Sequence, residues 1–347
     1  MRLRNDKRKF RVYKRNYSAL IWYSRKSQYM KALRFNGRSL ALDEVAVQKK
    51  EQEALIRVSS SGICNTDLEI VRGYAGFTGT IGHEFVGVVE ESPEDPALVG
   101  KRVVGEINVG CNACDLCRDG DPRHCEKRTV LGISGRDGCH AEFVNLPVRN
   151  LIEVPDNVPD RMAVFAEPLA AAYGITQRVE VEPGMTAAVI GDGKLGILCA
   201  WSLAGKLQHL YLIGKHQSKL NTAAKAEIEG ILLDKAEKLG RRFDIVVEAS
   251  GSDSGLETAL KLLRPKGTLV LKTTIHGKVE WEPWKVVVDE ITVVGSRCGR
   301  LAPALELLSE GKVDPTPLIS EEYGIGEGLR AFESASSPGV MKVLLRM

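Results

Sequence analysis

The sequence predicts an α/β fold with a doubly wound parallel sheet and a second, β-rich domain. In the second half of the chain, strand-like apolar segments alternate with helical ones, which is typical of parallel sheets. A length of 347 residues exceeds what one hydrophobic core usually serves and indicates two domains. With 44% hydrophobic and 27% charged residues, the composition is that of a globular protein rather than a fibrous or disordered one.

The alternation begins at "TAAVIGDGKLG", which predicts a strand over 186–190, a turn, and a helix from about Lys194. The turn reads G-x-G-x-x-G, the glycine fingerprint of a dinucleotide-binding Rossmann domain. Gly191 allows the tight turn, Gly193 lets the backbone approach a pyrophosphate, and Gly196 allows close packing of helix on strand. The helix N-terminus supplies N–H groups to the phosphates. The predicted cofactor-binding residues of this turn are Gly191, Gly193, Lys194, Leu195 and Gly196.

The end of the next predicted strand, residues 210–213, bears on the choice of coenzyme. An acidic residue there would bind the ribose 2′-hydroxyl of NAD. The sequence instead has Gly214, followed by Lys215, His216 and Lys219, up to three of which carry a positive charge. No carboxylate in this segment would repel a 2′-phosphate. We therefore predict NADP in preference to NAD, bound by Gly214, Lys215, His216 and Lys219. The alternative interpretation is that the two lysines are ordinary exposed helix charges.

The remaining elements of this half follow the same alternation. We predict strands over 243–251, 268–272 and 290–299, a helix from Leu256 to a stop at Pro265–Gly267, and a helix over 303–311. The stretch 221–235 is short and poorly periodic, so it predicts no definite element.

Four of the eight cysteines lie within fifteen residues, spaced C-x2-C-x2-C-x7-C. Thiolates at this spacing can converge on one ion and close a tetrahedral zinc site. The alternatives are disulfides, which would be strained at this spacing, or free thiols. We predict a structural zinc held by Cys111, Cys114, Cys117 and Cys125.

Three further residues are candidate zinc ligands. Cys64 lies in "GICNTD" and His83 in "GHEFVG", and both residue types bind zinc. Glu167 lies between Ala166 and Pro168 at the start of an apolar helix, where an uncompensated carboxylate is energetically costly. A bound metal ion would compensate its charge, and so would the positive end of the helix dipole at the N-terminus.

Five motifs occur in a characteristic order and spacing: "GICNTD", "GHEFVG", the four-cysteine loop, "AEPLA" and "GDGKLG". In this the chain resembles the zinc-containing medium-chain alcohol dehydrogenase family from about Met30 to Met347, most of all its threonine/sorbitol dehydrogenase-like branch. The resemblance implies a discontinuous GroES-like catalytic domain, residues 30–170 and 303–347, beside a Rossmann domain, residues 171–302. The active site is expected in the cleft between them.

The resemblance also implies residue roles. Cys64, His83 and Glu167 would bind a catalytic zinc, with Glu84 as an exchangeable fourth ligand. Asp67 would orient the His83 imidazole and Thr66 would relay the alcohol proton. Many relatives carry a histidine where this chain has Glu69, so the outer proton path differs or Glu69 serves it. Arg297 would reach cofactor or substrate, unless it is a surface residue at a strand end.

The implied reaction is zinc-dependent hydride transfer between an alcohol, or its carbonyl product, and NADP(H). An NAD-dependent polyol or 3-hydroxy amino acid dehydrogenase is the alternative within the family. We expect two zinc ions per chain, a small-molecule substrate and a homo-oligomer, a dimer or tetramer. Candidate pocket residues are Ile107, the loop 74–78 and Glu106, whose carboxylate would recognise a hydroxyl or amine or else lie at a solvated strand end.

The charge is concentrated at the N-terminus. Ten of the 48 Lys and Arg but only one of the 45 Asp and Glu fall in residues 1–29, so the remaining 318 residues carry a net charge of −6. This leader is interpreted as a targeting sequence, a disordered basic arm or a solvated extension. A zinc-stapled nucleic-acid-binding protein using the leader is the competing function, disfavoured by the acidic remainder.

We expect a cytoplasmic protein that does not bind membranes, with import into an organelle through residues 1–29 as the alternative address. Neither an 18-residue apolar run nor a secretory h-region occurs in the sequence.

Overall fold

The computed structural model describes residues 29–225, 227–274 and 283–347. The predictions for the leader therefore fall outside the described residues, apart from Tyr29, which opens the first strand. Within these ranges, no helix combines the length and the apolar character needed to cross a membrane.

The first half of the chain is mainly β-structure with short helices. Its elements are β1 (Tyr29–Phe35), β2 (Leu40–Ala46), β3 (Ala54–Gly62), α1 (Asn65–Val71), β4 (Gly79–Thr80), β5 (Glu84–Glu91), β6 (Arg102–Gly105), β7 (Asn108–Val109), α2 (Asp115–Arg118), β8 (Thr129–Leu131), β9 (Gly135–Arg136), β10 (Phe143–Leu146), β11 (Leu151–Glu153), α3 (Asp160–Ala163) and α4 (Ala166–Tyr173).

The second half alternates strands and helices before returning to the first. Its elements are β12 (Thr186–Ile190), α5 (Lys194–Ala204), β13 (His209–Gly214), α6 (Gln217–Ala223), β14 (Ile228–Leu232), β15 (Phe243–Glu248), α7 (Asp253–Leu262), β16 (Leu263–Leu271), α8 (Pro283–Val288), β17 (Thr292–Gly295), α9 (Leu301–Ser309), β18 (Ile319–Gly324), α10 (Gly328–Ala335) and β19 (Lys342–Arg346).

The β-rich part is built around a sheet of strand order β11-β6-β5-β3-β19-β18, with β10 pairing on β3. Its last two strands come from the C-terminus: β19 runs antiparallel to β3, with Leu344 opposite Gly62. The chain thus leaves this domain, forms the second one and comes back. Two smaller sheets, β2-β1-β4 and β7-β8-β9, complete the β-rich part.

The second sheet is parallel throughout, in the order β14-β13-β12-β15-β16-β17. Its strands are apolar on both faces because helices cover both sides, as in the run Thr186–Ile190. The strand order reverses direction at β12, and ligands of such sheets bind in the crevice at that point. The predicted fold class, a doubly wound Rossmann domain with a β-rich partner, is confirmed.

Helix α5 lies in the middle of the largest core cluster, and all but its first two residues are buried. It follows the glycine turn, packs on α4 and so joins the nucleotide domain to the β-rich part. The close approach requires Gly196, because a Cβ there would lie 1.9 Å from the carbonyl oxygen of Gly191. This packing fixes the turn against the end of β12.

Several predicted elements have different limits in the structure. The helix predicted to stop at Pro265–Gly267 ends earlier, at Leu262, and Leu263 is already extended with ψ of 135°. Pro265 explains this, because a proline disfavours helical geometry just before it and cannot continue the helical hydrogen bonds. The strands predicted over 243–251 and 290–299 are shorter, Phe243–Glu248 and Thr292–Gly295, because their glycine- and serine-containing ends form the loops of the crevice.

Candidate functional site

A buried cluster of donor atoms lies where β3 gives way to α1 and β4 to β5. Cys64 precedes α1, and His83 and Glu84 stand at the start of β5. One ligand atom of each residue lies within 4.8 Å of the others. Thiolate, imidazole and carboxylate are the donor set of a zinc site, so these residues fit the ion that the sequence predicts.

Asp67 supports this cluster from the first turn of α1. Its Oδ1 lies 3.2 Å from Nδ1 of His83, which leaves Nε2 of the ring for a metal. Its Oδ2 accepts the backbone N–H of Cys64 at 2.8 Å. Burial would raise the pKa of this fully buried carboxyl, but the His83 and His140 rings hold it well below its usual range.

A second buried imidazole extends the network, and sequence reasoning missed it. His140 Nε2 lies 3.4 Å from Oδ2 of Asp67, and Oγ of Ser61 lies 2.8 Å from its Nδ1. The ring packs on Gly82, where a Cβ would lie 2.5 Å from it. In the sequence, His140 is not spaced from another residue as metal ligands typically are. Only the fold brings it next to Asp67, behind the cluster.

Glu84 forms an ion pair with Lys342, and both side chains are almost wholly buried. Lys342 Nζ also lies 3.4 Å from the carbonyl oxygen of Ile63. Although burial lowers the pKa of Lys342, Glu84 outweighs it and raises that pKa. The lone lysine of the apolar segment "VMKVLL" was the sequence signal for this partner.

Glu167 stands apart from the cluster that Cys64, His83 and Glu84 form. It occupies the first turn of α4 and lines a small cavity together with Glu106, Ile107, Asn108 and Cys298. Burial raises its pKa to about 7, and the opposing charge effect of His83 is the next largest influence. A cation bound nearby would favour the ionised form of this carboxyl.

The two predicted proton-relay residues, Thr66 and Glu69, lie in different surroundings. Oγ1 of Thr66 lies 3.8 Å from Sγ of Cys64, next to the donor cluster. Glu69 instead pairs with Arg72, its Oε1 lying 2.6 Å from Nη1, on the exposed side of α1. The structure therefore places Thr66 at the site and Glu69 in a surface ion pair.

The four clustered cysteines converge as their spacing predicts. One sulfur atom of each of Cys111, Cys114, Cys117 and Cys125 lies within 4.8 Å of the others, and none is in a disulfide. Backbone N–H groups of Ala113 and Cys114 lower the pKa of Cys111 to about 6, which favours the thiolate that zinc requires. The loop fits a closed tetrahedral zinc site.

The glycine turn has the geometry of a dinucleotide site. Gly191 has φ of 119°, and a Cβ there would lie 2.5 Å from the carbonyl oxygen of Ala249. Gly193 is exposed with open space above it, and α5 begins at the next residue. Nζ of Lys194 lies 3.5 Å from the carbonyl oxygen of Ile63, so the turn meets the segment that carries Cys64.

One premise of the NADP prediction is wrong. A carboxylate does stand at the end of β13, but it comes from the glycine turn: Oδ2 of Asp192 accepts the backbone N–H of His216 at 2.7 Å and lies 3.0 Å from its Nδ1. The sequence segment around Gly214 could not reveal this, because Asp192 precedes it by 22 residues. Lys215 is exposed and Lys219 is partly exposed at the same strand end.

Arg297 ties the end of β17 to the four-cysteine loop. Its Nη2 donates to the carbonyl oxygen of Arg123 at 2.6 Å and to Oδ1 of Asn108 at 3.4 Å. Arg297 is exposed, and these two bonds hold its guanidinium next to Asn108, which lines the cavity. Oε1 of Glu106 accepts the backbone N–H of Leu301 at 3.1 Å, so Glu106 also joins the two domains.

Of the other candidate pocket residues, Ile107 lines the cavity. Among the described residues of the loop 74–78, none lines it. That loop lies between α1 and β4, in the segment of the chain that joins Cys64 to His83.

The chain matches two protein-family models, the alcohol dehydrogenase GroES-like domain over residues 50–156 and the zinc-binding dehydrogenase over residues 204–310. It is 30% identical over 326 residues to sorbitol dehydrogenase of Halalkalibacterium halodurans, covering 86% of this chain and 95% of that protein. The chain belongs to the zinc-containing medium-chain alcohol dehydrogenase family. As a member, this dehydrogenase is an oxidoreductase acting on CH–OH groups.

Solved structures resemble the dehydrogenase over nearly its whole length. A zinc-binding dehydrogenase from Sinorhizobium meliloti 1021, bound to NADP, has a TM-score of 0.83 at 25% identity and covers 92% of this chain and 99% of its own. A short chain alcohol dehydrogenase from E. coli CFT073, complexed with NADH, has a TM-score of 0.85 at 25% identity, with 92% and 100% covered. Their coenzymes differ, so the likeness does not select between NAD and NADP.

Proposed function

We propose that this dehydrogenase transfers a hydride between a hydroxyl-bearing carbon of a polyol, or the corresponding ketose, and a nicotinamide dinucleotide. The contact of Lys194 with Ile63 carries the proposal, because it joins the glycine turn to the residue before Cys64. Coenzyme phosphates on the turn and a substrate oxygen at the donor cluster would therefore share one cleft. Such juxtaposition of the two reactants is what the fold contributes to the rate.

We assign the catalytic zinc to Cys64, His83 and Glu167, with Glu84 as the exchangeable fourth ligand. Zinc bound there supplies Lewis acidity, which lowers the pKa of an alcohol and polarises a carbonyl. The ion pair with Lys342 opposes ligation by Glu84, which supports an exchangeable role for that carboxylate. The four-cysteine loop takes the structural ion, giving two zinc ions per chain.

The surrounding residues would transfer the proton, orient the ligand ring and bind the pyrophosphate. Thr66 Oγ1, beside Cys64, accepts the proton of the substrate hydroxyl and passes it outward. Asp67 holds His83 in one orientation and tautomer. The partly buried glycine turn keeps the pyrophosphate against the N-terminus of α5.

The cavity beside the donor cluster supports a polyol as substrate. Glu106, Asn108 and Glu167 line it, and Arg297 is hydrogen-bonded to Asn108 at its edge. Several acceptors and donors around a small cavity suit a chain of hydroxyl groups better than an apolar alcohol. The sorbitol dehydrogenase relative acts, by its name, on such a compound.

We also propose that the enzyme is a homo-oligomer formed through the β17 edge of the Rossmann sheet. Within the described ranges, β17 pairs with β16 alone and leaves its other edge open. Val287 and Val288 of the preceding α8 are 75% and 70% exposed, and Trp284 is 55% exposed. An open edge beside exposed apolar side chains is a surface that proteins usually cover.

A coenzyme-reduction screen tests the proposed reaction. The purified zinc-loaded enzyme is given NAD⁺ or NADP⁺ with sorbitol, xylitol, threitol, primary alcohols or 3-hydroxy amino acids, and absorbance of the reduced coenzyme is followed. We expect polyols to give the highest kcat/KM. Thr66→Ala should lower kcat by about 10²-fold or more, whereas the matched Thr66→Ser variant should retain activity. Reduction with 3-hydroxy amino acids alone, or with none of these compounds, would contradict the proposal.

A further inference from the structure

The end of β13 lacks a side chain where an acidic residue would select NAD. Gly214 is the last residue of the strand, and the space that its side chain would take is filled by Asp192. A Cβ built on Gly214 would lie 2.4 Å from Cβ of Asp192 and 2.5 Å from its Oδ2. The glycine turn therefore delivers a carboxyl group to the place where a strand-end acid would begin.

Local contacts hold this carboxylate in place. Both the backbone N–H and Nδ1 of His216 lie within hydrogen-bond distance of Oδ2, at 2.7 and 3.0 Å. Asp192 itself is only 8% exposed. Throughout the described residues, its Oδ1 accepts no hydrogen bond, so one oxygen of a fixed carboxylate remains available to a ligand.

The position of the carboxylate in the fold defines what that ligand is. Asp192 lies between Gly191 and Gly193, the residues that frame the coenzyme pyrophosphate site, and above the end of the next strand. In a doubly wound sheet, the ribose next to the adenine lies over this strand end, with its 2′-hydroxyl toward it. A 2′-hydroxyl can donate to a carboxylate, whereas a 2′-phosphate has only acceptor oxygens and the same charge sign.

We propose that Asp192 is the residue that selects the coenzyme, accepting a hydrogen bond from the ribose 2′-hydroxyl and so favouring NAD(H) over NADP(H). The selecting acid of this chain has thus moved from the strand end to the middle of the glycine turn, and Gly214 is required to make room for it. This inference rests on the proposed dinucleotide binding and replaces the NADP preference expected from the sequence.

Two lysines oppose this selection. Lys215 and Lys219 follow the strand end, and both would attract a 2′-phosphate. Neither forms an ion pair with Asp192, which is committed to His216 instead. The carboxylate is buried and held by His216, whereas Lys215 is exposed to solvent, which screens its charge.

Coenzyme binding without substrate tests the selection directly. Dissociation constants for NADH and NADPH are measured by the fluorescence of the reduced nicotinamide on the full-length, zinc-loaded protein. The wild-type protein should bind NADH more tightly than NADPH. Asp192→Asn, which keeps an oxygen for the His216 N–H, should weaken NADH binding about tenfold and narrow or reverse the preference. The matched variant Glu182→Gln, an acid-to-amide change at an exposed residue before β12, should leave NADH binding unchanged.

The outcomes separate this inference from the proposed reaction. Tighter binding of NADPH by the wild-type protein, or an unchanged NADH-to-NADPH ratio in Asp192→Asn, would overturn the role of Asp192 even if polyols are oxidised. Failure to bind either coenzyme would overturn the dinucleotide site itself. Asp192→Ser, with melting temperature compared to wild type, distinguishes loss of the carboxylate from misfolding of the turn.

Discussion

Oδ1 of Asp67 lies 3.2 Å from Nδ1 of His83, and neither buried atom has a well-aligned hydrogen bond to any other described residue. The two atoms therefore depend on each other. A metal on Nε2 would make Nδ1 a stronger donor and would therefore strengthen its contact with Asp67. Zinc binding and the Asp67–His83 hydrogen bond should stabilise one another.

Asp67→Asn should weaken zinc binding at the Cys64 site by about 10- to 100-fold, because an amide neither carries the charge nor fixes the ring tautomer. Competition with a chromophoric chelator measures this affinity. Asp137→Asn is the matched control: Asp137 accepts the N–H of Thr80 in the same domain but lies outside the donor network. Equal zinc affinity in the wild type and Asp67→Asn would contradict the role assigned to Asp67.

Cys111→Ser should lower the zinc content from two ions per chain to one, because the structural zinc loses a ligand. It should also reduce the melting temperature, because that ion stabilises the loop. Cys64→Ser should also leave one ion but abolish polyol oxidation. Metal analysis by mass spectrometry counts the ions. Cys199→Ser, a buried thiol outside both clusters, should keep both. A zinc count unaffected by Cys111→Ser would remove the structural site.

Lys342→Met should lower the free energy of unfolding by about 3–5 kcal/mol, because it leaves the Glu84 carboxylate buried without its partner. Adding Glu84→Gln to the same chain should restore much of the loss. Urea denaturation of the zinc-free proteins measures both effects without the contribution of the ion. Lys49→Met breaks the exposed pair with Glu91 and should cost less than about 1 kcal/mol.

Glu106→Gln should make the protein increasingly more stable than wild type as pH rises. Burial, opposed by the hydrogen bond from Leu301, raises the pKa of Glu106. The folded state therefore keeps its proton to higher pH than the unfolded chain does, so the wild type loses stability between the ordinary glutamate pKa and the raised one. The amide variant does not ionise and still accepts the Leu301 N–H.

Urea unfolding of both proteins from pH 4 to pH 8 measures the difference. The difference in stability should be smallest at pH 4. It should grow as Glu106 titrates and level off above the raised pKa of Glu106. A difference that is constant over this range would show that Glu106 is not titrating as its burial implies.

The fold and most of the donor residues could be predicted from the sequence because their signals are local. The glycine turn, the cysteine spacing and the apolar run before Gly191 each fit within about twenty residues. The Pro265–Gly267 stop was also predicted, although the helix ends at Leu262, three residues before the proline.

Three residues at the site could not be predicted because their partners are distant in sequence. His140 reaches Asp67 across 73 residues and Lys342 reaches Glu84 across 258. Asp192 and His216 are closer in sequence. Nothing in the glycine-turn motif, however, indicates that the side chain of its second residue contacts the residues after the next strand. Side chains of this kind are placed by sheet register and domain packing, which a single sequence leaves unspecified.

The return of β19 to the first domain has a consequence for biosynthesis. Lys342, the partner of Glu84, is the first residue of β19, and this strand is inserted between β3 and β18. Until β19 has been made, the β-rich sheet lacks the strand between β3 and β18, and Glu84 lacks its ion-pair partner. Because the Rossmann segment is translated before β19, the first domain cannot complete its sheet as an independent unit at the start of folding.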